Sequence, residues 1–241
     1  MLIHQKMTSK YLELDTDLYI IRPDVIKEDN VSILYLLHGY WGDYSNWVRY
    51  TRIEKYVDGK NMIVVMPSGL NMYYTNTDGG YPYLKYLIEE LPAIIKETYR
   101  LNIKRENTFI AGLSMGGYGA LRAILSTNNY AKGASFSGAL DISRFKDSLY
   151  NSRKGPLRTL FSENLKEEDD LYNLATLQKG KDISLYISCG TEDSLLSHNQ
   201  RLHKILEKEK IKHVYYEKPG NHTWEFWDQE IKEAIKFFLD K

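Results

Sequence analysis

The sequence predicts a single α/β domain of three layers, with helices on both faces of a mostly parallel β-sheet. Segments with the pattern of a strand alternate with segments of helical spacing along the chain, which is typical of that architecture. The predicted strands at residues 32–37 and 62–66 are continuous apolar runs, as expected of central strands covered on both faces. No internal repeat, low-complexity linker or change of composition divides the 241 residues, so we expect one domain over residues 1–241.

The composition narrows the range of partners. The 32 lysines and arginines balance 32 aspartates and glutamates, so no net charge would attract nucleic acid or an anionic membrane. Cys189 is the one cysteine, so no internal disulfide is possible. The N-terminus lacks the apolar stretch of a signal peptide, and no segment approaches the ~20 apolar residues of a membrane span. We therefore expect a cytoplasmic protein that acts on a small molecule and binds neither nucleic acid nor membranes.

Each element is predicted from its local pattern. Runs of β-favouring residues predict strands, and apolar residues three and four positions apart predict helices. A turn signal at residues 15–17 divides the first β-favouring segment into an antiparallel hairpin. Residues 141–182 are highly charged without a strong period, and we interpret them as an excursion over the strand ends. In chain order we expect a hairpin over 11–22, strands at 32–37 and 62–66, a helix over 84–95 that Pro92 kinks or splits, a strand at 108–111 and the helix after it, strands at 133–140 and 183–188, a charged helix at 202–206, a strand at 213–217 and a closing helix over 231–239.

The stretch of residues 107–121 organises the rest of the chain. It combines a strand, a sharp turn and a helix, and Ser114 stands at the turn between Gly112 and Gly116. A serine occupies such a strained turn only when the residues two positions away are too small to clash. Its hydroxyl then projects from the sheet edge toward a base and a substrate. Ser114 is therefore the predicted nucleophile of an acyl transfer.

A serine nucleophile needs a base within hydrogen-bond reach and a third group that orients the base. Where the nucleophilic serine lies at such a turn between a strand and a helix, the acid and then the base follow it along the chain. His222 lies in the loop between the last predicted strand and the last predicted helix, and it is the predicted base. Asp193, in the loop after the strand at 183–188, is the predicted acid. Glu192 is the near alternative and Asp141 the more remote one.

The oxyanion of the tetrahedral intermediate needs fixed hydrogen-bond donors. The Met115 amide, at the helix N-terminus directly after the nucleophile, is the first predicted donor. The second is expected in the loop after the strand at 32–37, where the Tyr40 amide is the best candidate and that of Trp41 the next. We interpret His38 as a structural histidine that shapes this loop.

Aromatic residues are concentrated in the loops that carry these groups. We predict that Trp41, Tyr73, Tyr74 and Trp224 contribute an aromatic wall to the substrate pocket, while other indoles pack the loops onto the domain. The sequence has no zinc-ligand cluster, phosphate-binding loop or dinucleotide fingerprint.

Four motifs together resemble those of a known family. They are Leu-Leu-His-Gly at 36–39 with Trp47 downstream, Glu-Glu-Leu-Pro at 89–92, Gly-Leu-Ser-Met-Gly-Gly-Tyr-Gly-Ala at 112–120, and Gly-Asn-His-Thr-Trp at 220–224 with Trp227. Spread from about residue 32 to the end of the chain, they resemble the esterase D-like branch of the α/β-hydrolases. The sequence is most similar to the bacterial tributyrin esterases of that branch. The resemblance implies the α/β-hydrolase fold, hydrolysis of short-chain acyl esters, and neither a metal nor an organic cofactor.

The leading hypothesis is a serine carboxylesterase that cleaves short-chain acyl esters through a Ser-His-Asp triad and an acyl-enzyme. One alternative is a feruloyl or acetylated-sugar esterase, in which the aromatic loops hold a ring. A further alternative is an S-formylglutathione hydrolase, although the pattern of those enzymes has a histidine at the place of Leu113 and a cysteine after the glycine of the loop that follows the strand at 32–37. A non-catalytic binding protein on a hydrolase scaffold is the hypothesis from a different class.

Overall fold

Eight strands form one sheet in the computed structural model, which describes residues 1–27, 30–76, 81–142, 166–178 and 180–240. Their order across the sheet is β1-β2-β4-β3-β5-β6-β7-β8. β1 and β2 pair antiparallel, as do β2 and β4, and the remaining neighbours are parallel. The strands are β1 (Leu2–Ser9), β2 (Leu14–Ile21), β3 (Ser32–Leu37), β4 (Met62–Pro67), β5 (Thr108–Leu113), β6 (Lys132–Phe136), β7 (Ser184–Gly190) and β8 (His213–Lys218).

Helices cover both faces of this sheet, which confirms the predicted three-layer fold. One apolar cluster packs α1, α2 and α8 onto one face of the sheet, and a second packs α4, α5, α6 and α7 onto the other face. None of the helices within the described ranges combines the length and the apolar content needed to cross a membrane. The α-helices of the described residues are α1 (Asn46–Tyr50), α2 (Ile53–Val57), α3 (Tyr83–Lys85), α4 (Leu91–Tyr99), α5 (Met115–Ser126), α6 (Leu171–Thr176), α7 (Leu196–Lys208) and α8 (Trp224–Leu239).

The first hairpin differs from its prediction. Its strands are β1 and β2, so the turn lies near residues 10–13 and the predicted turn signal at 15–17 falls inside β2. Across the strand pair, the Thr8 hydroxyl donates to Asp15 Oδ1 at 2.7 Å, and His4 Nε2 lies 2.7 Å from Asp17 Oδ1. Cross-strand partners satisfy these carboxylates, which removes the reason to place them in a turn.

Two further predictions need adjustment. The helix at 84–95 is continuous from α3 to α4 through a π-helical turn at Tyr86–Glu90, with Pro92 as the second residue of α4. Pro92 has no N–H for the Ile88 carbonyl four residues earlier, and Asn129 Nδ2 donates to that carbonyl instead, at 2.7 Å. The strand expected over 133–140 ends at Phe136, because Ser137 adopts a positive φ of 48°.

The predicted excursion over residues 141–182 is described only in part, because 143–165 and 179 lie outside the described residues. The part that is described contains a 3₁₀ turn at Glu167–Asp169 and α6. Asp169 anchors this part to the fold, since its carboxylate accepts from the Thr75 hydroxyl at 2.8 Å and lies 3.3 Å from Arg122 Nη2 on α5. The parallel strands all end on one side of the sheet, where the loops after β3, β5, β7 and β8 meet.

Candidate active site

The turn between β5 and α5 holds Ser114 in a strained backbone conformation. Its φ of 50° and ψ of −115° are rare for a residue with a side chain and cost on the order of 1–3 kcal/mol. The Ser114 amide donates to the Phe136 carbonyl at the end of β6 at 2.9 Å, and its own carbonyl accepts from the Ala139 amide at 3.0 Å. These bonds hold the turn in place, with the hydroxyl directed away from the sheet.

The glycines on either side of the serine are required by close backbone contacts. A Cβ on Gly112 would lie 2.3 Å from the Gly116 carbonyl oxygen, and a Cβ on Gly116 would lie 2.5 Å from that of Leu37. The N-terminus of α5 therefore rests directly against the end of β3. This contact brings the Met115 amide, at the first position of α5, next to the loop that follows β3.

Three polar side chains form a continuous chain of hydrogen bonds. His222 Nε2 lies 3.0 Å from Ser114 Oγ, and His222 Nδ1 lies 2.8 Å from Asp193 Oδ2. A carboxylate only accepts, so the proton of a neutral ring is assigned to Nδ1, and Nε2 is left to accept from the serine hydroxyl. The imidazole also meets the ring of Trp227 edge to face, with 4.9 Å between centroids.

Asp193 is fully buried, and its carboxylate is satisfied on both oxygens. Oδ1 accepts from the Leu195 amide at 2.8 Å, while Oδ2 holds His222. Burial by itself would raise the pKa of Asp193, but the hydrogen bond and electrostatic attraction of His222, together with the Leu195 amide, lower it below its usual range. The group is therefore a stable anion that can orient an imidazole.

The two alternative acids have other partners. Glu192 Oε2 accepts from the Gly220 amide at 2.6 Å, and Asp141 Oδ2 lies 3.0 Å from Arg201 Nη1. The structure thus brings Asp193 to the histidine, and gives Glu192 a place in the loop contact beside it.

His38 fixes the backbone of the loop after β3. Its Nδ1 lies 2.7 Å from the Gly39 carbonyl, and its Nε2 accepts from the Gly69 amide at 2.8 Å. Burial lowers the pKa of His38 to about 4, so the ring is neutral at physiological pH. Because the Gly39–Tyr40 peptide is planar and trans, holding the Gly39 carbonyl on one side sends the Tyr40 N–H to the other. The Trp41 amide, the next candidate donor, is bonded to Asn71 Oδ1 at 2.7 Å.

A cavity of about 660 Å³ opens at Ser114 and is lined mainly by aromatic and apolar side chains. Of the predicted wall, Trp41, Tyr73 and Trp224 line it, and the Trp41 indole is 81% exposed at its mouth. Tyr74 is not among the lining residues: it is 1% exposed, and its hydroxyl donates to the His38 carbonyl at 3.2 Å. The structure therefore gives Tyr74 a supporting position beneath the loop rather than a place in the wall.

Sequence reasoning did not identify several of the residues that line the cavity. Tyr50 packs against Trp224 with 5.0 Å between ring centroids, and Leu195 and Ala139 add apolar surface beside Ser114. The aromatic spacing of α1, in which Tyr50 follows Trp47 by three residues, was a signal for Tyr50. Leu195 and Ala139 lie in irregular turns, where no period indicates which way a side chain faces.

Comparisons with known proteins find an esterase family and serine hydrolases that are similar to this chain. A family model described as "Putative esterase" matches residues 9–238. A curated relative, an acetyl esterase of Caldicellulosiruptor saccharolyticus, is 32% identical over 253 aligned positions, which cover 97% of this chain and 95% of that protein.

Two solved structures of Staphylococcus aureus proteins are similar over the full length. FphF, a fluorophosphonate-binding serine hydrolase with substrate bound, superposes with a TM-score of 0.90 at 27% identity, covering 100% of this chain and 99% of that one. The S-formylglutathione hydrolase FrmB superposes with a TM-score of 0.83, also at 27% identity and with the same coverage.

Proposed function

This chain belongs to the "Putative esterase" family and is a carboxylic ester hydrolase with the α/β-hydrolase fold, and we propose that it cleaves short-chain acyl esters through Ser114, His222 and Asp193. The observation that carries the proposal is the hydrogen-bond chain at the floor of the cavity. It joins serine to histidine at 3.0 Å and histidine to carboxylate at 2.8 Å. The tributyrin esterases that the sequence resembles act on the same substrate class.

In the first half-reaction, Ser114 Oγ attacks the ester carbonyl carbon while its proton passes to His222 Nε2. Asp193 holds the ring through Nδ1 and stabilises the imidazolium that forms. The negative charge that develops on the carbonyl oxygen is met by the Met115 and Tyr40 amides. Each such donor is worth about 2.7–4 kcal/mol of barrier in a site that excludes water.

Collapse of the tetrahedral intermediate breaks the bond to the alcohol oxygen, which takes the proton from His222 as it leaves. The acyl group remains as an ester of Ser114. In the second half-reaction His222 accepts a proton from water, the hydroxide attacks the acyl carbon, and the proton returns to Ser114 Oγ as the carboxylic acid is released. Every step uses the same three side chains and the same two amides.

The test is hydrolysis of p-nitrophenyl esters from acetate to laurate by the wild type and by Ser114→Ala. We expect the highest kcat/KM at two to four acyl carbons, and a fall of about a millionfold in kcat for Ser114→Ala. A fluorophosphonate probe should label the wild type and leave the variant unlabelled. Preference for laurate would overturn the short-chain assignment, and an unchanged rate in Ser114→Ala would overturn the nucleophile.

A second candidate, hydrolysis of feruloyl or acetylated-sugar esters, is favoured by one observation. The Trp41 indole is 81% exposed at the mouth of the cavity, where an aromatic ring or a sugar could stack on it. Methyl ferulate and acetylated xylose separate the two functions. If such substrates are preferred, Trp41→Ala should raise their KM by up to about tenfold and leave that of p-nitrophenyl acetate within about twofold.

A further inference from the structure

Among the described residues, three hydrogen bonds join the loop after β3, here called the oxyanion loop (residues 38–45), to the loop after β4, here called the β4 loop (residues 68–76). Two of them lie at the base of the loops and involve His38: the Gly69 amide donates to its ring, and the Tyr74 hydroxyl donates to its carbonyl. The third lies nearer the tip, where the Trp41 amide donates to Asn71 Oδ1 at 2.7 Å. Asn71 thus joins the β4 loop to the backbone beside Tyr40.

The Trp41 backbone needs such a partner because its conformation is unfavourable. Its φ is 66°, in the left-handed region that residues with a side chain rarely adopt. Trp41 is 81% exposed, so packing provides little of the force that would hold the residue in this region. A conformation of this kind persists when surrounding contacts specify it, and the bond to Asn71 is a contact of that type.

The consequence for the site lies in the peptides on either side of Tyr40. The peptide before it is fixed through the Gly39 carbonyl, which has His38 Nδ1 at 2.7 Å and accepts from the Gly42 amide at 3.1 Å. The peptide after it is fixed through the Trp41 amide on Asn71. Tyr40 and Trp41 are the two central residues of the turn that the Gly42 amide closes on the Gly39 carbonyl. Release of the Trp41 amide from Asn71 therefore also loosens the hold of this turn on the peptide that carries the Tyr40 N–H.

We propose that Asn71 is a positioning residue for ester hydrolysis: by holding the Trp41 amide it keeps the Tyr40 N–H directed at the developing oxyanion. The inference rests on the proposed function, because it assigns the Tyr40 amide to the transition state. It requires an acceptor oxygen at residue 71. It also predicts an effect on the transition state rather than on the binding of the ground-state ester.

The test compares Asn71→Ala with the wild type on p-nitrophenyl butyrate. We expect kcat to fall by about 10- to 100-fold with KM within about twofold, somewhat less than the 10²- to 10³-fold cost of deleting an oxyanion donor. Inhibition by an alkyl trifluoromethyl ketone, which forms a hemiketal oxyanion on the serine, should weaken by the same factor as kcat/KM. Asn71→Asp retains an acceptor and should recover part of the loss, the added negative charge keeping the recovery incomplete.

Asn61→Ala is the matched control. Asn61 Oδ1 accepts from the Lys27 amide at 3.1 Å, so this variant also removes an asparagine that ties one loop to another, at the opposite end of β4 from the site. It should leave kcat and ketone inhibition unchanged. An Asn71→Ala protein with wild-type kcat and inhibition would overturn the inference alone, as would an equal loss in Asn71→Asp or in Asn61→Ala. A wild type inactive on every ester would overturn the proposed function as well.

Discussion

Ser114 stands at the centre of the sheet, whereas His222 stands on a loop at its edge. β5, which leads to the serine, is flanked by β3 and β6, and the helix after it is buried from Met115 to Leu125. β8, which leads to the histidine, is an edge strand with its residues half-buried or exposed, and Asn221 and Thr223 on either side of His222 are exposed.

The loop after β8, which carries His222, is held instead by a few polar contacts with the loop after β7. Asp193 holds His222, the Gly220 amide donates to Glu192 Oε2 at 2.6 Å, and the Glu192 amide donates to the Gly220 carbonyl at 3.0 Å. Core packing therefore sets the position of the nucleophile, while a few hydrogen bonds and the ring contact with Trp227 set that of the base. Substitutions near Ser114 should therefore alter folding and activity together, and those near His222 activity alone.

The largest effect is expected from Asp193→Asn. The amide would still accept from Leu195, but it would no longer require a proton on His222 Nδ1, so the ring would be free to take the wrong tautomer. We expect kcat to fall by about 10⁴-fold. Circular dichroism and the melting temperature should remain close to those of the wild type. A fall of less than tenfold would remove Asp193 from the triad and return attention to Asp141 and Glu192.

Gly116→Ala, at the buried start of α5, should instead lower both the stability of the protein and its activity. Its Cβ would lie 2.5 Å from the Leu37 carbonyl oxygen and 2.6 Å from that of His38, and neither backbone group can move without shifting β3. Overpacking of this kind costs up to about 3 kcal/mol, which denaturant unfolding would measure. The folded fraction should also lose activity, because α5 must move away from the oxyanion loop.

Gly59→Ala is the control for that substitution. A Cβ on Gly59 would meet no atom within 4 Å, so the loss of stability should come only from the positive φ of 69° at this residue. We expect about 1 kcal/mol and unchanged kcat. An equal loss of stability in the two variants would show that the contact with β3 is not what requires glycine at residue 116.

The fold and the order of the site residues were predictable because both depend on local signals. Continuous apolar strands, helical spacing and the glycines around Ser114 each report on a few neighbouring residues. His222 and Asp193 were named from their place after particular strands, and the structure brings both to Ser114, although their roles stay predictions. The predicted turn of the first hairpin, at residues 15–17, was wrong because Asp15 and Asp17 lie inside β2 and are satisfied across the strand pair.

The direction of side chains in irregular loops could not be predicted from the sequence. Tyr73 and Tyr74 are neighbours with the same φ of 52°, yet Tyr73 lines the cavity and Tyr74 lies beneath the loop. The turns have no period from which one face could be assigned. Asn71 likewise acts through a single bond to a distant backbone amide, which leaves no pattern along the chain.

The buried His38 should have a smaller effect, which appears in the pH dependence of stability. The pKa of His38 is about 4 in the folded protein and 6.5 when the chain is exposed, because burial penalises the charged ring. Between these values the unfolded chain binds the proton that the folded protein refuses, so the free energy of unfolding falls as pH falls from 6.5 toward 4.

At pH 5 the loss should be about 2 kcal/mol relative to pH 7, at about 1.4 kcal/mol per pH unit. Urea unfolding of the wild type and of His38→Gln at the two pH values isolates this contribution, because the two proteins share every other side chain. A difference between pH 7 and pH 5 that is identical in the two proteins would contradict the assignment.

The smallest effect is expected at the edge, from Glu192→Gln. The glutamine oxygen can still accept from the Gly220 amide, but the bond loses its charge, and charge-assisted hydrogen bonds are about twice as strong as neutral ones. The loop carrying His222 should then sample more positions, lowering kcat by about threefold to tenfold with no change in melting temperature. Glu192→Ala should do more than Glu192→Gln. The backbones of the two loops also touch, since a Cβ on Gly190 would lie 2.2 Å from the Gly220 carbonyl oxygen. If neither variant slows turnover, this backbone contact is enough to hold His222, and the loop at the sheet edge is more rigid than its exposure suggests.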